Sequence, residues 1–441
     1  MANNDAPARR QAILLEHLRG APQRPATVPV ASVEARACAA GDASAYSRSA
    51  ADDVVLVSAL RTPLCKAKRG MFKDTLVENL LGTVLDATCT RTGVAKEDIG
   101  DIVVGSVLGS GSQRANECRI AMLLVGFPDS VPVRTVNRQC SSGLQAIADV
   151  AASIQAGFYD IGIGAGVETM TSNPMKWDGG FNPAIKKSKQ AQSCLLPMGI
   201  TSENVAAKFG ISRDTQDAFA AASHNKAAHA QKTGRFRSEI VPVHTTIKDK
   251  EGNEQAVTVE HDDGIRPGMS PEALGKLKAV FKEGGSTTAG NASQVTDGAA
   301  ASLLMKRSEA NRRGLPILGV FRSFAVVGCD PAIMGIGPAV AIPEAVKKAG
   351  LSVRDIDLFE LNEAFASQAT YCAAHLGLDP EKVNVNGGAI ALGHPLGATG
   401  ARCTATLLHE MSKRGPSCRY GVVSMCIGSG MGAAAVFERG S

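Results

Sequence analysis

The segment Thr92-Gly93-Val94-Ala95-Lys96-Glu97-Asp98-Ile99-Gly100-Asp101-Ile102 is matched at one constant offset by Ala349-Gly350-Leu351-Ser352-Val353-Arg354-Asp355-Ile356-Asp357-Leu358-Phe359. Two further parallels follow in the same order. Val136-Asn137, ahead of a helix-like run, answers to Val385-Asn386 ahead of Gly387-Gly388. The apolar run 161–166 answers to Val422-Val423-Ser424-Met425-Cys426. A single short match is easily due to chance, but three in one order point to a duplicated α/β unit with pseudo-twofold symmetry. A duplicated chain offers an active site between its halves, fed by loops from both.

Within each half, apolar strand runs alternate with helical spacing. Residues 54–57 read as a buried strand ended by Arg61-Thr62-Pro63. Residues 75–90 carry helical spacing with Thr75 as a plausible N-cap, 102–104 form a second strand, and 116–125 a second helix. This alternation predicts a mostly parallel sheet with helices on both faces. Residues 170–300 break the rhythm. They hold a polar, basic loop (177–193), one or two helices (201–232) and a polar hairpin (241–260), an insertion expected to lie over the active site. The expected division is therefore 53–172 with 284–314 as a first half, 173–283 as a loop domain, and 315–441 as a second half.

The 441 residues have room for two or three domains, and 44% of them are hydrophobic. Aromatics are scarce at 4%, and a net charge of +5 is spread along the chain, which argues against a nucleic-acid surface. No apolar run reaches transmembrane length. The 11 cysteines are odd in number and form no CxxC pair, so neither a metal site nor a secreted disulfide framework is expected. A reducing compartment with one or two chemically active thiols fits better.

One thiol stands out. Cys140 lies where a strand-like run (131–136) turns into a helix-like run (144–156), within Val136-Asn137-Arg138-Gln139-Cys140-Ser141-Ser142-Gly143. Free N–H groups and the dipole at a helix start favour an anion, which should lower the thiol pKa and yield a nucleophile. An arbitrary cysteine is more often a buried structural thiol. What favours chemistry here is three later blocks. These are Leu361-Asn362-Glu363-Ala364-Phe365-Ala366, Gly393-His394-Pro395-Leu396-Gly397-Ala398-Thr399-Gly400 and Met425-Cys426-Ile427-Gly428-Ser429-Gly430-Met431-Gly432. Taken singly they have plain readings: Asn362 as an N-cap, His394 as a structural loop residue, the last glycine-rich loop as a phosphate cradle.

Together, Asn137 to Gly143, Asn362 to Phe365, Gly393 to Gly397 and Cys426 to Gly430 closely resemble the thiolase family over about residues 53–438. Met198-Gly199-Ile200-Thr201-Ser202-Glu203-Asn204-Val205-Ala206 and Thr288-Ala289-Gly290-Asn291-Ala292-Ser293 add to the likeness. Two departures are visible: Ser429 stands where the family usually has Gly, and Ser286-Thr287 replaces the commoner Thr-Val. The resemblance implies two similar halves stacked as a five-layer α-β-α-β-α core with an inserted loop domain, and a homodimer. It implies an acyltransferase that uses CoA as co-substrate and holds no bound cofactor. In that scheme Cys140 is the acyl-accepting nucleophile, His394 takes its proton, and Cys426 is the acid and base for the acetyl-CoA enolate and the incoming CoA. Asn362, through a water, and His394 form one oxyanion site. The N–H groups of Cys140 and Gly428 form the other. Ser293 and the Met198 loop are expected to hold the pantetheine arm.

The chemistry explains the residue types. Splitting a 3-ketoacyl thioester is a reverse Claisen reaction that needs a soft nucleophile, two oxyanion sites and a proton donor for carbon. Pro197, where acetoacetyl-CoA-specific members usually carry His, favours a degradative member of broad chain length. Ketoacyl and hydroxymethylglutaryl synthases, of the same fold, would not keep a thiol at Cys426. A non-catalytic acyl-CoA carrier should have lost Cys140, His394 or Cys426. Cys194, just before the Met198 loop, is a candidate disulfide partner for Cys140 under oxidation.

Residues 1–50 are rich in Ala, Arg and Pro and read as a targeting segment. Within them, Arg10-Gln11-Ala12-Ile13-Leu14-Leu15-Glu16-His17-Leu18 resembles the N-terminal peroxisomal address. Arg10, Gln11, His17 and Leu18 occupy its defining positions for an import receptor. Removal of the leader, residues 1–37, is expected after import.

Overall fold

The computed structural model describes residues 53–110, 112–177 and 179–440. The nonapeptide and leader lie outside them. The first half contributes strands β1 (Val54–Arg61), β2 (Asp101–Gly105), β3 (Val133–Val136), β4 (Ile161–Thr169) and β5 (Thr296–Lys306). The second contributes β6 (Gly319–Gly328), β7 (Leu358–Leu361), β8 (Tyr420–Ile427) and β9 (Met431–Arg439). The eight longer helices are α1 (Val77–Thr92), α2 (Gln113–Leu124), α3 (Ser142–Gln155), α4 (Met198–Phe209), α5 (Arg213–Lys232), α6 (Gly337–Lys348), α7 (Ala366–His375) and α8 (Thr399–Arg414).

The strand order makes the duplication explicit. The first half runs β3-β2-β4-β5-β1 and the second β7-β8-β9-β6, and they meet at β1 and β6. A parallel bridge from Phe359 to Val383 stands where β3 pairs with β2 in the first half. The seam is narrow, with Val55 opposite Val320 and Leu56 opposite Gly319. The sheet is mixed, not mostly parallel as the alternation predicted. The β2–β3, β2–β4 and β7–β8 pairs are parallel, whereas β4–β5, β5–β1, β8–β9 and β9–β6 are antiparallel. The turn 428–430 is too short for a crossover, so β9 must return antiparallel.

Three apolar clusters define five stacked layers. Leu80, Val84 and Leu85 of α1 and Met122 of α2 cover one face of the first half. Ile342 and Val346 of α6 and Cys372 of α7 cover the outer face of the second. Between the two sheet halves, Leu144, Ile147, Val150 and Ile154 of α3 pack with Leu407, Leu408 and Met411 of α8. Both central helices are buried almost all round, because each has a sheet on either side.

Local readings held in outline and shifted in detail. The expected hairpin is present as Val243–Lys248 paired antiparallel with Glu254–Val259, and 201–232 resolves into α4 and α5. Thr75 does not cap α1, where Leu76 occupies the cap position. Its hydroxyl instead meets that of Thr245 at 2.7 Å. Among the described residues no helix is long and apolar enough to cross a membrane.

Candidate active site

Cys140 sits on a strained turn between β3 and α3. Gln139, just before it, has φ of 48°, a left-handed conformation that costs a non-glycine residue about 1–3 kcal/mol. Local bonds hold the turn. Gln139 N–H donates to Asn137 Oδ1 (2.9 Å), and the Ser142 hydroxyl accepts from Arg138 N–H (2.9 Å) while donating to the Gln139 carbonyl (2.6 Å). The turn presses into the core through glycines. A Cβ on Gly105 would lie 2.4 Å from the Ser142 carbonyl carbon, and one on Gly400 would lie 2.2 Å from the Leu144 nitrogen. Gly143 likewise faces the Gly397 carbonyl, where a Cβ would come within 2.7 Å. The N-terminal ends of α3 and α8 therefore meet backbone to backbone. That contact brings the Cys140 turn against the loop carrying His394.

His394 is buried, and its orientation is fixed from three sides. Its N–H donates to the Gln294 carbonyl (2.9 Å). Its Nδ1 is 2.6 Å from Thr399 Oγ1, and its Nε2 is 3.3 Å from Asn362 Nδ2. Thr399 donates its single hydroxyl proton to the Pro395 carbonyl (3.0 Å), so it accepts from Nδ1–H. The network thus assigns the proton to Nδ1 and a lone pair to Nε2. Burial, then Arg402, depresses the His394 pKa to about 3, so the ring is neutral at physiological pH. Asn362 follows β7. It is not a helix N-cap, since Phe365 takes that position for α7. Its Oδ1 is buried without a protein partner.

Cys426, at the end of β8, is fully buried beside Met334, Ala364, Phe365 and the partly buried Met198. Burial first, and then the nearby Cys140, hold its thiol well above the ordinary value. Gly428 opens the turn after β8, and its N–H and that of Cys140 itself both address the Cys140 sulfur. Those are the two groups expected to form one oxyanion site. Ser429, at the family's usual glycine, adopts φ of 69° and hydrogen-bonds the Gly428 carbonyl through its hydroxyl. Met198 opens α4 over this turn, with Sδ 3.7 Å from where a Gly428 Cβ would lie. Ser293 is half-buried, and its N–H donates to the Ala364 carbonyl (3.0 Å). Cys194 is exposed, a free thiol whose sulfur contacts the Ser429 carbonyl at 3.8 Å.

One electrostatic expectation is overturned. The helix start does not lower the Cys140 pKa below that of an ordinary thiol. Burial dominates, the two N–H groups offset it only partly, and Glu168 adds to the rise, leaving Cys140 at about 11. The resting site thus holds a neutral thiol at Cys140 and a neutral imidazole at His394. Inactivation by iodoacetamide should therefore accelerate roughly tenfold per pH unit from pH 7 to 9, because only thiolate reacts. A rate that levels off below pH 8 would show a preformed ion pair instead.

Four positioning residues escaped sequence reasoning. Glu168 accepts from the N–H groups of Val107 (2.9 Å), Leu108 (3.2 Å) and Gly397 (3.0 Å), tying both halves together beside His394. Its signal was a lone carboxylate ending an otherwise apolar strand. Glu363 accepts from Ser223 (2.6 Å), Asn384 (2.8 Å) and Ile390 N–H (3.1 Å), and so docks α5 on the segment leading to His394. Gln294 and Thr399 hold His394 itself. The last three stood inside or beside the quoted blocks, but no local pattern gave their partners.

A cavity of about 440 Å³ lies outside this cluster, lined by Lys66, Arg69 and Arg266 with Gly70, Met71 and Asp263. Asp263, which accepts from the N–H groups of Lys66 (2.8 Å) and Met71 (3.1 Å), is outnumbered by the three cationic side chains, so the lining is net cationic.

Residues 54–308 match the thiolase N-terminal domain and 315–439 the thiolase C-terminal domain. The chain is 66% identical over 434 residues to an Arabidopsis thaliana protein named 3-ketoacyl-CoA thiolase 2, peroxisomal, a match covering 98% of this chain and 94% of that one. The dimeric peroxisomal thiolase of Saccharomyces cerevisiae superposes with a TM-score of 0.82 at 46% identity, over 90% of this chain and 100% of that one. Human mitochondrial 3-ketoacyl-CoA thiolase, solved in complex with CoA, gives a TM-score of 0.78 at 37% identity, over 88% and 98%. With both halves matched in order and the likeness running through nearly the whole length, the chain belongs to the thiolase family.

Proposed function

We propose that this chain catalyses the CoA-dependent cleavage of 3-ketoacyl-CoA to acetyl-CoA and a shortened acyl-CoA, in peroxisomal β-oxidation. The observation that carries the reading is the convergence of Cys140, His394, Asn362, Cys426 and the Gly428 N–H from both halves of a chain so close to peroxisomal thiolases. In this reading residues 173–283 form the loop domain over the site, between halves made of 53–172 with 284–314 and of 315–441. Ser293 and Met198 hold the pantetheine arm. The chain assembles as a homodimer, which sedimentation would check.

Cys140 Sγ attacks the C3 carbonyl as its proton passes to His394 Nε2. The N–H groups of Cys140 and Gly428 take the alkoxide oxygen. The C2–C3 bond then breaks, and its electron pair becomes the acetyl-CoA enolate, whose oxygen faces His394 and a water held by Asn362. Cys426 gives its proton to C2, and acetyl-CoA leaves. The Cys426 thiolate next takes the proton of incoming CoA, which attacks the acyl thioester. Cys140 departs and recovers its proton from His394. Removing one oxyanion donor is worth about a hundredfold or more in rate.

The cationic cavity suits the phosphorylated end of CoA. Lys66→Ala with Arg69→Ala should raise the KM for CoA about tenfold at low salt and leave kcat near wild type. An unchanged KM would remove the cavity from the CoA path. Arg10, Gln11, His17 and Leu18 form the address read by an import receptor. Retention of a full-length fluorescent fusion in the cytosol after Arg10 and His17 are replaced would support this, and unaltered import would exclude it.

The test of the activity is thiolysis of a medium-chain 3-ketoacyl-CoA, followed by loss of its enolate absorbance. Acyl-CoA binding without turnover under reducing conditions would leave only a carrier.

A further inference from the structure

Two apolar groups flank Cys140, and the chemistry tells them apart. One contains Cys426, with Phe365 and Met198. Cys426 must face C2, so this is the side toward which the CoA ester runs. The other contains no acid or base. It consists of buried Met170 and Leu396 with Ala67, Val107 and Leu108, which stay partly open to solvent. The substituent on the far side of C3 is the alkyl tail, and it must leave Cys140 away from Cys426.

The second group is built to keep its shape. Its side chains come from four separate segments, and buried carboxylates pin the backbone behind them. Glu168 holds the N–H groups of Val107 and Leu108, together with the Ser106 hydroxyl (3.2 Å) and Gly397 of the Leu396 loop. Asp297 accepts from Thr171 N–H (2.9 Å) and the Thr171 hydroxyl, which in turn accepts from Lys68 N–H (2.7 Å). Thr171 follows Met170, and Lys68 follows Ala67. Ala67 of the apolar group directly follows Lys66 of the cationic cavity, where a short strand ends in a turn. Apolar side chains on a pinned backbone, with an edge partly open to solvent, offer the surface against which a methylene chain would pack.

We propose that Ala67, Val107, Leu108, Met170 and Leu396 form the subsite for the substrate's alkyl tail, and that Leu108 at its open edge sets how long a tail is accepted. This rests on the thiolase reading above. Each methylene buried there raises kcat/KM roughly fourfold until the wall ends.

The experiment measures kcat/KM for six-, ten- and sixteen-carbon 3-ketoacyl-CoA with wild type, Leu108→Trp and the smaller Leu108→Phe. The expected result is a loss of about tenfold or more for the sixteen-carbon substrate in Leu108→Trp, with the six-carbon substrate within about threefold of wild type. Leu108→Phe should fall between, and it carries the test if the tryptophan variant does not fold. A uniform change at every length, or none, in a folded variant overturns the subsite. Wild type that cleaves no substrate of any length would overturn the activity itself.

Discussion

Replacing Cys140 by alanine is expected to lower thiolysis on the order of ten-thousandfold while leaving acyl-CoA binding within a few-fold of wild type. The substitution removes one sulfur from a turn whose shape depends on Asn137, Ser142 and the glycine contacts, none of which involves the thiol. The two N–H groups and His394 remain, yet no acyl group can be stored between the halves of the reaction. Turnover read from enolate absorbance, beside calorimetric binding of acyl-CoA, separates the two effects. A variant that keeps even a few per cent of its turnover would move the nucleophile elsewhere. Cys140→Ser should not rescue it, because an alkoxide is a far poorer leaving group than a thiolate when CoA attacks.

The duplication was legible because three short segments, one of them carrying Gly93 and Gly350 in register, recur in the same order in both halves. The Cys140 turn was legible because its glycines and serines punctuate a strand-to-helix change. Strand direction was not, since an apolar run such as 422–426 carries no mark of which neighbour it will pair with. The pKa of Cys140 was misjudged for a related reason. A helix start is a local feature, whereas burial at 9% exposure is set by Met170 and Leu396, distant in sequence. Glu168 shows the same limit. Its partners Val107 and Gly397 come from opposite halves, and only the packed structure brings them to one carboxylate. The four blocks that carry the chemistry could be read in advance, while the residues that aim them could not.

Cys426→Ala should cost about a thousandfold in thiolysis, the scale of a lost general acid and base. A second readout assigns the loss. Wild type should exchange the C2 protons of acetyl-CoA with deuterated water, and the variant should not, although its Cys140 is still alkylated by iodoacetamide. The physical basis is the coupling between the two thiols. Burial holds Cys426 protonated in the resting site, and ionisation of Cys140 would raise it further, so it waits as an acid. As an acyl thioester Cys140 can no longer ionise, so nothing on it opposes a Cys426 thiolate. That is the stage at which Cys426 has given its proton to C2 and must take the next one from CoA. The two thiols thus divide the work by stage, while His394, neutral at physiological pH, takes the Cys140 proton and faces the enolate oxygen. Exchange that persists in Cys426→Ala would transfer the carbon acid–base role to His394, and His394→Ala would then have to abolish it.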